Sequence, residues 1–203
     1  MGQGAEPRRP RLRDDELGAA VARAQGGDEA AFAAAYRSVQ PGLFGYLSGL
    51  VGARAQDVTA DAWQEIARDL TAFRGDGATF RAWTAAIARR HALDLLRRRA
   101  DRPPGPAAEP DVPGWPVPRD PAGRAAARVL ALVGELPRAQ REAVLLRIVV
   151  GLDEPAAARV LGRRPGAVRT AAHRGLRRLA RRFDAESAGR EAPPGSAGPG
   201  ERG

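Results

Sequence analysis

Apolar residues recur at helical spacing through two long stretches of this chain and thin out in three others. From residue 16 to 99 they fall every third or fourth position, the period of a helix with one buried face. Phe32, Tyr36, Leu43, Phe44 and Leu47 predict one or two amphipathic helices, with Pro41 and Gly42 marking a break or kink. A further helix is expected over about 56–73, with Val58, Ala62, Ile66 and Leu70 on its inward row. A loop at 74–79 leads into a long helix from about Phe80, with Phe80, Trp83 and Ile87 on one face. It ends in the arginine run Arg97, Arg98 and Arg99.

The second periodic stretch covers about 123–183. Leu136 and Pro137 open a helix with proline in its first turn, where the missing N–H costs nothing. Val144, Leu145 and Ile148 supply its buried face, and Gly151 ends it. Asp153 can cap the next helix, with Pro155 in its first turn. Ala158, Gly162 and Val168 then fall at the small-residue, turn and packing positions of a helix-turn-helix. Glycine suits a turn that needs positive φ. Val168 and Ala171 are expected to face inward, while Arg169, His173 and Arg174 can reach a DNA groove. The competing reading is an ordinary helical hairpin with a solvated basic face.

Three segments lack this periodicity. Residues 1–15 are rich in Gly, Pro and Arg, and 184–203 in Gly, Pro, Ala and Glu; both are expected to be disordered. Residues 101–122 hold eight prolines and read as a linker between domains 16–100 and 123–183. In extended polyproline form, about 22 residues at ~3.1 Å each span up to ~70 Å, near two turns of B-DNA. Trp115, within this linker, either docks on a partner or stays partly exposed.

Composition narrows the fold to all-α. Much of the 43% hydrophobic content is alanine, and strand-favouring residues are scarce. Lysine and asparagine are absent, a bias that fits GC-rich coding, so arginine content alone carries less weight. The formal net charge of +9 still asks for a polyanion or an acidic protein. With no cysteine there is no disulfide, thiolate metal site or cysteine nucleophile. Neither a signal core nor an apolar run long enough for a bilayer is present, which predicts a soluble, cytoplasmic protein without membrane insertion.

Charge divides between the two domains. Arg163, Arg164, Arg169, Arg174, Arg177, Arg178, Arg181 and Arg182 fall in one stretch without a carboxylate. Each arginine that meets a phosphate steepens the salt dependence of DNA binding by about 0.9 log units. In the first domain Asp57, Asp61, Glu65 and Asp69 recur every fourth residue and form one acidic row. That row is either a solvated face or a docking surface for a basic protein. Phe80 and Trp83 serve as core or as base-stacking residues, and His91 contacts DNA or covers the helix; the pattern leaves each open. Asp94 can pair with Arg97 or Arg98 at helical spacing.

Taken in order, these segments resemble a bacterial RNA polymerase sigma factor of the extracytoplasmic-function group. The first domain carries the resemblance through AQDVTADAWQEIARDL and FRGDGATFRAWTAAIARRHALDLLRRR. The second carries it through LPRAQREAVLLRIVVGLDEPAAARVLGRRPGAVRTAAHRGLRRL. The resemblance implies a region 2-like helical bundle and a region 4-like helix-turn-helix. It implies that Asp57, Asp61, Glu65 and Asp69 dock on the clamp helices of the polymerase β′ subunit, with the β subunit as a further partner. The loop and the helix after it, through Arg74, Asp76, Phe80, Trp83, Arg89, Arg90, His91 and Arg97, would melt the −10 element and hold its single strand, with a flipped base near the loop. Arg163, Arg164, Arg169, Thr170, His173, Arg174 and Arg177 would read the −35 duplex. An anti-sigma protein is a family expectation that no residue here identifies.

Ala60 stands where the family usually has glutamine, Arg90 where it has asparagine and Ala156 where it has glutamate. Arg164 replaces a helix-capping serine and Ala171 a frequent arginine, so no promoter sequence follows from the resemblance. The expected function is promoter recognition, duplex opening and transcription initiation with core polymerase. No catalysis, cofactor, metal or small-molecule substrate is expected: two histidines, no cysteine and no phosphate loop leave little to build a site from. The alternatives are a free-standing helix-turn-helix regulator, usually a dimer on paired half-sites, and a coating protein without sequence preference.

Overall fold

The computed structural model describes residues 11–101 and 121–191, and every regular element among them is helical. The expected linker at 101–122, with Trp115, and the outer parts of both expected tails lie almost wholly outside the described residues.

Four helices form the first half. Helix α1, Asp14–Gln25, begins with three acids that complement the helix dipole, and Glu16 Oε2 accepts from the Arg13 N–H at 2.8 Å. Leu17, Ala20 and Val21 are its buried side. Helix α2, Glu29–Val51, is capped by Asp28, which accepts from the Ala31 N–H at 2.9 Å. It runs without interruption through Pro41, where the sequence suggested a break. Pro41 and Arg37, whose carbonyl loses its helical partner, are both exposed, so water can take that place.

Helix α3, Ala55–Asp69, buries Val58, Ala62, Trp63 and Ile66 and closes in a tight turn at 70–72. Helix α4, Gly77–Ala100, starts three residues before Phe80 because Asp76 caps it, accepting from the Thr79 N–H at 2.8 Å. A Cβ at Gly77 would sit 2.1 Å from the Asp14 carbonyl oxygen, so only glycine lets the starts of α1 and α4 meet. Arg81, almost buried, ties that corner through Asp14 at 2.9 Å and the Leu12 carbonyl.

Residues 11–13, expected to be disordered, lie against this corner. The Leu12 N–H donates to Ser38 Oγ at 3.1 Å, and Arg11 reaches the carbonyls of Val149 and Val150 in the second half at 2.7 and 3.3 Å. The chain is ordered here because these polar groups find partners.

The second half contains α5, Pro121–Gly134; α6, Arg138–Val144; α7, Glu154–Leu161; and α8, Pro165–Glu191. Pro137 is the residue before α6 rather than part of its first turn. Residues 145–150 continue α6 as a wider turn in which the N–H groups of Gly151 and Leu152 both donate to the Leu146 carbonyl. Such a turn takes in one extra residue and rotates the residues beyond it by about 100°. Leu146 and Val150 are therefore buried, and Ile148, expected in the core, is 60% exposed. Gly151 ends the turn at φ 83°. Helix α8 also continues past Asp184, where disorder was expected, to Glu191.

One apolar cluster runs through both halves. Along α2, Gly42, Gly45 and Gly49 share one face and receive the 145–150 turn. A Cβ at Gly49 would lie 2.6 Å from Leu145 Cδ1, one at Gly45 2.8 Å from Val149 Cγ1, and one at Gly42 3.0 Å from the Val149 carbonyl. Helix α4 also meets α7, and α2 meets α5. Across the joint, Arg89 pairs with Glu142 at 2.7 Å, and Arg138 adds a second contact to Glu142 at 2.9 Å.

Candidate nucleic-acid interfaces

Helices α7 and α8 enclose the sharpest turn of the second half. Asp153 caps α7 by accepting from the Ala156 N–H at 2.7 Å, with Pro155 early in the helix. Gly162 takes φ 63°, ψ 39°, and the Arg163 N–H returns to the Ala158 carbonyl at 3.0 Å, as helix ends closed by a left-handed residue do. Ala158 (3% exposed) and Val168 (0%) fill the angle between the helices. The inward row of α8 continues through Ala172, Gly175 and Leu179; Ala171, expected inward, is only half-buried. A Cβ at Gly175 would come within 2.7 Å of Val144 Cγ2, which shows how closely α8 lies on α6.

Arg163, Arg164, Arg169, Thr170, His173, Arg174 and Arg177 are all exposed. Thr170, His173, Arg174 and Arg177 occupy one stripe at helical spacing. Two of the set have internal partners: Thr170 Oγ1 donates to the Gly166 carbonyl at 2.9 Å, and Arg169 lies 3.5 Å from Glu154. An exposed contact of that length is worth well under ~1 kcal/mol, so a phosphate can replace it.

The first half distributes its candidates differently. Arg74 is exposed but donates to the Thr71 and Phe73 carbonyls, both at 2.7 Å. Asp76 is committed to capping α4, and hydrogen bonds from Thr79 hold its carboxyl below the ordinary range. Phe80 is 1% exposed, edge-on to Phe73 at 5.3 Å, and offers no face to a base. It is a core residue, removed from the DNA-contacting set by its burial. Trp83 is half-buried, 5.0 Å from Phe73, and keeps one side at the surface. Arg97 is exposed and pairs with Asp94 at 3.0 Å.

Arg89, partly buried, faces the second half through Glu142. Arg90 and His91, neighbours on α4, both reach Glu65 on α3; His91 Nε2 is 2.8 Å from its carboxylate. Glu65 is only 18% exposed at its side chain, and these contacts, Arg90's first, hold its carboxyl below the ordinary range. The acidic row is thus broken in the middle. Asp61 and Asp69 are exposed, Asp57 is exposed beside Arg54 at 2.9 Å, and Glu65 belongs to the α3–α4 contact. Arg90, which replaces the usual asparagine, has its partner in Glu65.

Next to this row lies a groove that residue spacing alone does not assemble. Tyr36, Gln40, Phe44, Gln56, Thr59, Ala60 and Trp63 line it. Tyr36, 37% exposed, stands 4.6 Å from Trp63, and Phe32 meets the same indole edge-on at 6.2 Å. The Trp63 N–H donates to Gln40. Phe32, Tyr36, Gln40 and Phe44 repeat every fourth residue, so the row was legible; its partner on α3 was not. Among the described residues no cluster of His, Cys, Asp or Glu could hold a metal, and no helix is long and apolar enough to cross a membrane.

Comparison with known proteins covers both halves. Residues 35–102 match the family described as sigma-70 region 2, and residues 126–179 match sigma-70 region 4. The extracytoplasmic-function (ECF) RNA polymerase sigma factor ShbA of Streptomyces griseus is 35% identical over 186 residues, spanning 83% of this chain and 97% of that protein. The ECF RNA polymerase sigma factor SigD of Mycobacterium tuberculosis is 31% identical over 179 residues, 83% of this chain and 84% of SigD. Among solved structures, CnrH in complex with the cytosolic domain of CnrY aligns with TM-score 0.59 at 26% identity, covering 85% of this chain and 99% of CnrH. The sigma factor RpoE of Bartonella quintana, solved with the anti-sigma factor NepR, shares the fold at TM-score 0.57 and 19% identity, over 75% of this chain and 96% of RpoE.

Proposed function

The chain belongs to the extracytoplasmic-function group of RNA polymerase sigma factors, and on that premise we propose that it binds core polymerase, directs it to promoters and helps open the duplex. It acts in the cytoplasm as an initiation factor, and the polymerase performs the chemistry. The observation that carries this reading is the pairing, in one chain and in this order, of an acidic, aromatic-grooved first half with an arginine-faced helix-turn-helix.

Each surface has its own partner. Asp57, Asp61 and Asp69, together with the Tyr36–Trp63 groove, dock on the β′ clamp helices, with β as a further contact. Arg74, Trp83, Arg90, His91 and Arg97 meet the melted −10 strand, where backbone charge and stacking dominate. Arg163, Arg164, Arg169, Thr170, His173, Arg174 and Arg177 meet the −35 duplex in its major groove. An anti-sigma protein, of the kind seen with Bartonella RpoE, is the proposed inhibitory partner.

The experiment is co-purification with bacterial core polymerase at moderate salt, followed by transcription of total genomic DNA from the source organism. Stoichiometric β and β′ and new RNA 5′ ends that depend on this chain are expected. Asp61→Arg should abolish co-purification but leave the second half's DNA affinity intact. Replacing Arg169 and Arg174 by alanine should do the reverse, lowering the salt slope of −35 binding by about 0.9 for each phosphate no longer neutralised. DNA binding with no retention of polymerase would point instead to a free-standing regulator.

A further inference from the structure

Helix α1 carries none of the residues assigned to polymerase or DNA, yet it meets the segment between α3 and α4 at both ends. At its last residue, Gln25, the side-chain Nε2 donates to the Leu70 carbonyl at 2.9 Å and to the Phe73 carbonyl at 2.8 Å. An amide NH2 has two donors, and both are used. Its oxygen would be repelled by the same two carbonyls, so the contact accepts the amide in one orientation only. At the first residue of α1, the Asp14 carbonyl leaves no room for a Cβ at Gly77. One turn further, a Cβ at Gly18 would lie 3.2 Å from the Gly77 nitrogen and 3.7 Å from Asp76.

Between these anchors Gly75 turns at φ 151°, where a Cβ would press on Thr79 at 2.7 Å and on the Phe73 ring at 3.1 Å. The Phe73 carbonyl receives Arg74 as well as Gln25, and its ring lies 5.0 Å from Trp83. Arg74, Gly75 and Asp76 are all exposed, so packing contributes little to the shape of the loop. Among the described residues, Gln25 is the polar anchor that reaches it from outside the loop and its flanking helices.

We propose that Gln25 is a positioning residue for base selection in the −10 element: it fixes the loop at 74–76 before DNA arrives, so that the flipped base meets a preformed surface. This rests on the sigma-factor reading above and adds a residue outside both DNA-contacting sets. A flipped base gives up stacking and pairing, and protein contacts must replace them. Such contacts discriminate between bases only where the surface holds its shape to within about 0.5 Å.

Two substitutions separate positioning from packing. Gln25→Met keeps the length of the side chain and removes both donors, whereas Gln25→Lys keeps donors. Each full-length variant is loaded on core polymerase, and opening is read by 2-aminopurine fluorescence at a fixed position on linear templates. The templates carry a promoter mapped by chain-dependent RNA 5′ ends, with each of the four bases in turn at every −10 position. The wild type should prefer one base strongly at one position or more. Gln25→Met should lower that preference about fivefold or more, the low end of what one base contact is worth, and Gln25→Lys should retain it. Both variants should retain β and β′ as the wild type does. A Met variant with the wild-type preference would overturn the proposal. So would one that opens all four templates more weakly by a common factor, which is what lost stability alone produces. A Lys variant as indiscriminate as the Met variant, or a wild type without any base preference, would overturn it too. If the wild-type chain yields no chain-dependent 5′ ends and opens no template, the sigma-factor reading itself fails, and the two failures are distinct.

Discussion

Glu65 shows how one residue's role changes once its neighbours are known. Sequence spacing places it in the acidic row, as the third member of a four-residue repeat. Burial to 18% and two α4 partners make it a link between helices instead. Glu65→Gln should therefore leave polymerase affinity near wild type and reduce promoter opening, because Arg90 and His91 lose their anchor. The stability effect has a definite sign. A carboxyl held below its ordinary value contributes stability above that value, near pH ~4.3, and loses it as pH falls through the folded-state pKa. Acid titration followed by circular dichroism should show the wild type losing stability through that window more steeply than Glu65→Gln. Phe80 makes the same point: its spacing favours core over base-stacking without excluding either, and burial against Phe73 decides.

The helix-turn-helix was the most legible element. Asp153, Pro155, Ala158, Gly162 and Val168 each have local geometric demands that residue type satisfies, so their positions follow from sequence alone. Ala158→Leu should force α7 away from α8, costing about 1–3 kcal/mol by overpacking. Thermal unfolding and −35 duplex binding should both register it, while polymerase binding through the first half should not. Elsewhere local signals misled. Pro41 signals a break, but an exposed proline with solvated neighbours can ride in a helix held by packing on its other side. Ile148 fits the α-helical period of its segment, and the wide turn at 145–150 shifts that period by one residue. Neither the turn nor the order of residues 11–13 has a local signature, because both depend on contacts between distant segments.

At the scale of the whole molecule, the two halves share a core that no periodicity could reveal. Their contact is apolar with two arginine straps, not the meeting of acidic row and arginine helix that net charge alone would suggest. One polar group sits badly in it. Tyr46 is fully buried on α2 beside the Arg89–Glu142 pair, its hydroxyl making no well-formed hydrogen bond, and burial, reinforced by the Glu142 carboxylate and only partly offset by Arg89, pushes its phenol well above the ordinary value. Tyr46→Phe removes a desolvated group worth about 1–3 kcal/mol and should raise the melting temperature of the full chain. A lower one would mean that the hydroxyl has a partner in solution.

The glycine face of α2 also bears on heat. Separating the halves bares Leu145, Val149 and the stripe opposite them to water. Newly hydrated apolar surface raises heat capacity, so the enthalpy of parting must change steeply with temperature. Calorimetric titration of core polymerase with this chain at several temperatures therefore reads whether the halves part: a joint that opens adds a positive heat-capacity contribution, opposed to the negative one from a groove that closes on its partner.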